Sequence, residues 1–106
     1  MKYIPFTQFV RPDGRQRAEY ISLEDDCAEK YIEIAAAGCR LTCEFLMNGQ
    51  CSFCIEEPIL GDYACAMSEN GPNVPTVISK MIRDFKIDEF NEWKSERRGR
   101  LYEDCF

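Results

Sequence analysis

Seven cysteines and no histidine bound the chemistry open to this chain. Without an imidazole, the commonest general base is missing, and with it the usual triads and Cys-His dyads. What remains is a pattern of thiols. Cys51-Ser52-Phe53-Cys54 is a C-x-x-C, and Cys39 and Cys43 lie upstream. Four thiolates are a familiar ligand set for zinc, so a site on Cys39, Cys43, Cys51 and Cys54 is one reading. Geometry weighs against it. Residues three apart on one strand point to opposite faces, which separates Cys51 from Cys54. Cys39 and Cys43 share a face but stand ~13 Å apart on an extended strand at ~3.3 Å per residue. A thioredoxin-type redox pair needs its C-x-x-C at a helix start, where the dipole lowers a thiol pKa, whereas this motif falls inside a predicted strand. Packing is the reading that fits the strands. Cys43, Cys51 and Cys65 are expected to point inward from three neighbouring strands, as small buried hydrophobes. Cys54 is expected to face outward opposite Thr42, and with Cys105 it is the thiol expected to react first.

The elements that must position these thiols form a three-stranded meander from Leu41 to Met67. Leu41, Cys43 and Phe45 alternate with Thr42 and Glu44, and Cys51, Phe53 and Ile55 alternate with Ser52 and Glu56. Both are the period of a half-buried strand. A two-residue Asn48-Gly49 turn would set apolar against polar on every rung. A three-residue loop, Met47-Asn48-Gly49, places the glycine at the left-handed position. It pairs Phe45 with Cys51, Cys43 with Phe53 and Leu41 with Ile55, leaving one face apolar. A one-residue slip would turn a whole apolar set to water, so this register is preferred. After the loop from Glu57 to Gly61, Tyr63, Cys65 and Met67 are expected to line the inward face of the third strand.

Upstream, Lys2 to Val10 is rich in β-formers and Arg15 to Ile21 returns as a second strand. Arg11-Pro12-Asp13-Gly14 between them has turn chemistry. Pro5 cannot donate to a ladder, which predicts that the first strand is an edge. Ser22 with Asp25 resembles a capping box, and Glu24, Asp25 and Asp26 suit a helix's first turn. That helix should run to about Ala37, with Gly38 at C′ and Leu23, Cys27, Tyr31 and Ile34 or Ala35 as its buried stripe. Pro75 suits the first turn of a second helix, whose apolar face is Val74, Val77, Ile78, Met81, Ile82 and Phe85. A third helix over 88–98, capped by Asp88, carries Phe90 and Trp93 on one side. The expected fold is α+β: an N-terminal hairpin and a meander in one antiparallel sheet, packed against two helices, with a short third helix. Residues 1–86 form the domain and 87–106 a C-terminal extension.

The 106 residues allow one modest core, and 45% hydrophobic and 12% aromatic residues are those of a folded chain. A net charge of −6 speaks against direct nucleic-acid binding. An acidic surface can also imitate nucleic acid, but a solvated surface that keeps the protein soluble is the simpler reading. No apolar run approaches the ~20 residues of a membrane helix. Met1-Lys2-Tyr3-Ile4-Pro5 lacks the apolar stretch of a signal peptide. An odd number of cysteines without a secretion signal implies free thiols in a reducing, cytoplasmic setting. Asn70-Gly71-Pro72 has neither phosphate-loop spacing, and Asp25/Asp26 and Glu56/Glu57 are sequence neighbours of a solvated kind. No enzyme is expected.

Several short stretches resemble a family of small proteins carried by bacteriophages and prophages. They are Arg11-Pro12-Asp13-Gly14-Arg15, Ala37-Gly38-Cys39-Arg40, Asn48-Gly49 through Ser52, and, most specifically, Asn70-Gly71-Pro72-Asn73-Val74-Pro75 followed by Val77 and Met81-Ile82. The resemblance spans roughly residues 3–86 and consists of structural motifs. Where the family is expected to carry ordinary strand residues this chain has Cys43, Cys51, Cys54 and Cys65, which favours packing over metal. No activity comes with the resemblance. It implies a phage accessory protein made inside a bacterium, acting on a host or phage protein, by analogy as an anti-CRISPR-like inhibitor of a defence system. Phe90, Trp93, Tyr102 and Phe106 are the expected partner-binding residues, since aromatics anchor interfaces; docking of this tail on the core is the competing reading. A zinc- or redox-dependent regulator using Cys39, Cys43, Cys51 and Cys54 is also compatible with the sequence, as is a homodimer through the edge strand Lys2–Val10.

Overall fold

A hairpin and a three-stranded meander build the sheet, and one helix carries the chain from the first to the second. The computed structural model describes residues 1–10, 15–69 and 71–104. β1 (Lys2–Val10) and β2 (Arg15–Leu23) pair antiparallel along their whole length, from Lys2 against Leu23 to Val10 against Arg15. The predicted turn at Arg11–Gly14 lies outside the described residues. Because pairing continues to Leu23, whose side chain is buried, the backbone stays extended through Ser22. The Ser22 capping box therefore does not form. α1 (Asp25–Ala36) starts after Glu24, with Asp25 and Asp26 in its first turn and no side-chain cap. Its buried stripe is Cys27, Ala28, Tyr31 and Ile34. Gly38 ends it at φ +98°, where the amide of Gly38 donates to the Ala35 carbonyl and that of Cys39 to the Ile34 carbonyl. This is the left-handed C-terminal stop expected of a glycine there.

β3 (Arg40–Phe45) and β4 (Gln50–Glu57) pair in the expected register, Leu41 with Ile55, Cys43 with Phe53 and Phe45 with Cys51. The three-residue loop closes with the Leu46 amide on the Gln50 carbonyl at 2.8 Å and Gly49 at φ +84°. β5 (Gly61–Glu69) follows β4 antiparallel, and the sheet order is β2-β1-β3-β4-β5. β1 lies inside the sheet, parallel to β3 over Thr7–Phe9. The edge-strand reading of Lys2–Val10 is thus corrected: Thr7–Phe9 pair on both sides, Lys2–Phe6 pair with β2 alone, and the outer strands of the sheet are β2 and β5. Pro5 is tolerated because pairing to β3 begins downstream of it, at Thr7.

α1, α2 (Val74–Asp84) and α3 (Ile87–Asp104) complete the α+β fold. Leu41, Phe53 and Ile55 from the sheet, Ile34 from α1, Ile78 and Ile82 from α2 and Phe90 from α3 fill a single core, and the helices lie on one face of the sheet. Phe90 is fully buried among Tyr63, Phe85 and Trp93, with ring centroids 5.2 to 5.7 Å away. Lys94 donates to the Ala37 carbonyl at 3.0 Å, placing a cation at the C-terminal end of α1, which has no basic residue in its own last turn. The start of the 87–106 segment is therefore part of the core. Asp88 sits inside the first turn of α3, since the Phe90 amide bonds back to the Lys86 carbonyl. No helix of the described residues is long and apolar enough to cross a membrane.

Candidate functional site

Alternation along the strands sorts the thiols onto two faces. Cys43 and Cys51 are 3% and 1% exposed on the face beneath the helices, beside Leu41, Phe53 and Ile55. Burial pushes the Cys43 thiol up to about 12, with the charge of Cys51 and a hydrogen bond to it adding to the shift. Cys39, just past α1, is pushed up to about 11 by burial, against the lowering effect of Lys94 and with a smaller raising effect from Glu57. Cys39 and Cys43 stay protonated at neutral pH, and with Cys51 they act as packing.

Cys54 and Cys65 stand on the opposite, open face. They are direct cross-strand partners, and Cys65 is exposed. The expectation that Tyr63, Cys65 and Met67 line the inward face is overturned. β4 dictates the alternation: Phe53 pairs with Ala66 and Ile55 with Ala64, so the small alanines turn inward under α2. A β-bulge between Ile55 and Glu56 then leaves Tyr63 as the extra residue. Tyr63 turns inward to meet Phe85 at 5.4 Å and Trp93 at 5.1 Å. The same bulge returns Asp62 to the open face opposite Glu56.

The result is a cluster that sequence reasoning missed. Sγ of Cys54, Sγ of Cys65 and a carboxylate oxygen of Asp62 all lie within 4.8 Å of one another. Burial pushes the Cys54 thiol up to about 12, followed by its hydrogen bond to Cys65 and the charges of Cys65 and Asp62; a hydrogen bond to Ser52 pulls the other way. The expectation that Cys54 is the reactive thiol is corrected: it does face outward opposite Thr42, but neighbouring side chains leave it 9% exposed. Cys65 is the accessible one. The predicted set of Cys39, Cys43, Cys51 and Cys54 is not assembled, because Cys54 lies across the sheet from Cys43 and Cys51. Cys105 lies outside the described residues.

The open face has a layered pattern. Ala18, Thr7, Thr42, Cys54 and Cys65 stand side by side across all five strands, an uncharged row about 19 Å long at ~4.8 Å per strand. Pro5 and Tyr20 are paired beside one end, with Tyr3 on the same face two residues along β1. Arg40 over the Phe9 ring, and its bond to Glu56 at 2.5 Å, occupy the flanks of the middle strands. Tyr3, Tyr20 and Met67 are 74%, 65% and 54% exposed.

Of the expected partner-binding residues, Phe90 is withdrawn completely, since it is a core side chain. Trp93 is half-buried, packed on Tyr63 and covered by Arg97, whose guanidinium lies 4.7 Å from its ring. Phe106 and the side chain of Tyr102 lie outside the described residues. Comparison with protein-family models, curated proteins and solved structures finds no match.

Proposed function

We propose that the chain is a non-enzymatic protein-binding module and that it binds with the open face of its sheet. One observation carries the reading: all three helices pack on the other face, leaving Tyr3, Tyr20 and Met67 exposed around an uncharged row. Amphipathic aromatics beside an uncharged row on an open sheet face are suited to anchoring a protein partner. A basic stripe of the kind nucleic acid requires is not present on the described part of that face. The proposed setting is the one the phage resemblance implies, an accessory protein acting on a host or phage protein inside a bacterium. Inhibition of a defence system is the role proposed within it.

The test is a photo-crosslinking residue placed at Tyr20, at Ile32 on the outer side of α1, or at Trp93, in bacteria expressing the protein. One defined adduct from position 20, absent from position 32, is the expected result. An adduct from position 93 alone would return the interface to the C-terminal helix. Equal labelling from all three positions would defeat the proposal.

A further inference from the structure

Cys54, Asp62 and Cys65 have the composition and spacing of a metal site. Cross-strand pairing puts both sulfurs on the open face at one rung, and the bulge brings the Asp62 carboxylate to them from the next. A tetrahedral ion with Zn–S near 2.3 Å and Zn–O near 2.0–2.2 Å holds its ligand atoms about 3.5–3.8 Å apart. All three donor atoms already lie within 4.8 Å of one another. Asp62 and Cys65 are exposed, so a small side-chain rotation closes the difference, while Cys54 forms the shielded floor. The neighbouring carboxylate, Glu56, is taken by Arg40, whereas among the described residues no cation lies within ion-pair range of Asp62.

We propose that Cys54 Sγ, Cys65 Sγ and one Asp62 carboxylate oxygen bind a thiophilic divalent cation of the zinc class, with the fourth coordination position open above the sheet. Two thiolates favour such an ion over magnesium or calcium, which take oxygen ligands. Three protein ligands with one open position distinguish the site from a closed structural centre. The site needs nothing from a partner, so it stands or falls separately from the binding function proposed above. An open position on this face is nevertheless where an imidazole or thiolate from a docked protein would land, and this chain has no histidine of its own to fill it.

The experiment is titration of reduced, chelator-stripped protein with cobalt(II) and then zinc, under a phosphine reductant. One equivalent of cobalt should give thiolate-to-cobalt charge-transfer absorption and the visible bands of a tetrahedral ion, both displaced by zinc. Loss of an outer-shell partner alone costs about 10–100-fold in metal affinity. Asp62→Asn and Cys65→Ser, both at exposed positions, should therefore each weaken binding at least about 10-fold. Cys43→Val, on the covered face, should leave it unchanged. Absence of the charge-transfer band, affinity unaltered in both exposed variants, or loss of binding in Cys43→Val would each overturn the site.

Discussion

Cys51 and Cys54 stand three positions apart on β4, yet one lies beneath the helices and the other faces away from them. The first shares its surroundings with Leu41, Phe53 and Ile55. The second has only the side chains of adjacent strands around it, with Cys65 and Asp62 within reach. Residue type alone does not decide what a cysteine does in a sheet; parity along the strand does. The covered face uses its thiols for volume. The open face gathers two of them with a carboxylate.

The largest test of this contrast removes what covers one face. Phe90→Ala should cost about 3–5 kcal/mol, the range for truncating a fully buried phenylalanine, whereas Tyr20→Ala on the open face should stay within about 0.5 kcal/mol of the parent. Denaturant unfolding of both variants measures the difference, and similar losses would mean that the open face is not open. Next in size, Tyr31→Phe removes the hydroxyl that accepts the Leu41 amide at 3.1 Å. It leaves a buried N–H unpaired and should cost about 1–3 kcal/mol. On the thiols themselves, Cys51→Ser should lose about 1–3 kcal/mol by burying a hydroxyl, and Cys65→Ser almost nothing. Brief alkylation of the native protein should modify Cys65 and spare Cys43 and Cys51.

The smallest effect is a slope against pH. In the folded protein Cys43 and Cys39 are held at about 12 and about 11, above the ordinary value of 9.0. Both are acids whose pKa is raised, so the folded state keeps its protons longer than the unfolded chain does. Their contribution is complete below pH 9 and is lost as pH rises through 11 to 12. Alkaline unfolding curves should therefore steepen above pH 9, and Cys43→Val should flatten that dependence. A parent curve that stays flat to pH 11 would show that these thiols ionise as readily folded as unfolded.

Much of this arrangement is legible in the residues. The register of β3 on β4 follows from matching two apolar alternations across a loop whose glycine must take φ > 0. The stop of α1 follows from Gly38, and the start of α2 is marked by Pro75. The cluster of Cys54, Asp62 and Cys65 was hidden because it depends on a bulge. Tyr63, Cys65 and Met67 have a period of two, and nothing local shows that one residue is skipped so that Tyr63 reaches Phe85 and Phe90. Pro5 misled for a related reason: a proline marks a missing donor, and a strand can lack a neighbour at that residue while pairing farther along. Ser22 lost its capping role because β1 offers a longer partner than the helix start does. In each case a tertiary contact overrode a sound local preference.

The parallel join between β1 and β3 has a consequence for assembly. It consists of three rungs, Thr7 to Phe9 against Thr42 to Glu44, between a hairpin and a meander whose local pairings are longer. Local pairing closes small loops, whereas the join links residues 35 positions apart and must wait for α1 to bring the chain back. The hairpin and the meander are therefore expected to form first and the seam between them last. It is also where the sheet itself should part most readily. Hydrogen exchange would show this as amides on the three rungs opening at lower free energy than those inside the hairpin or the meander.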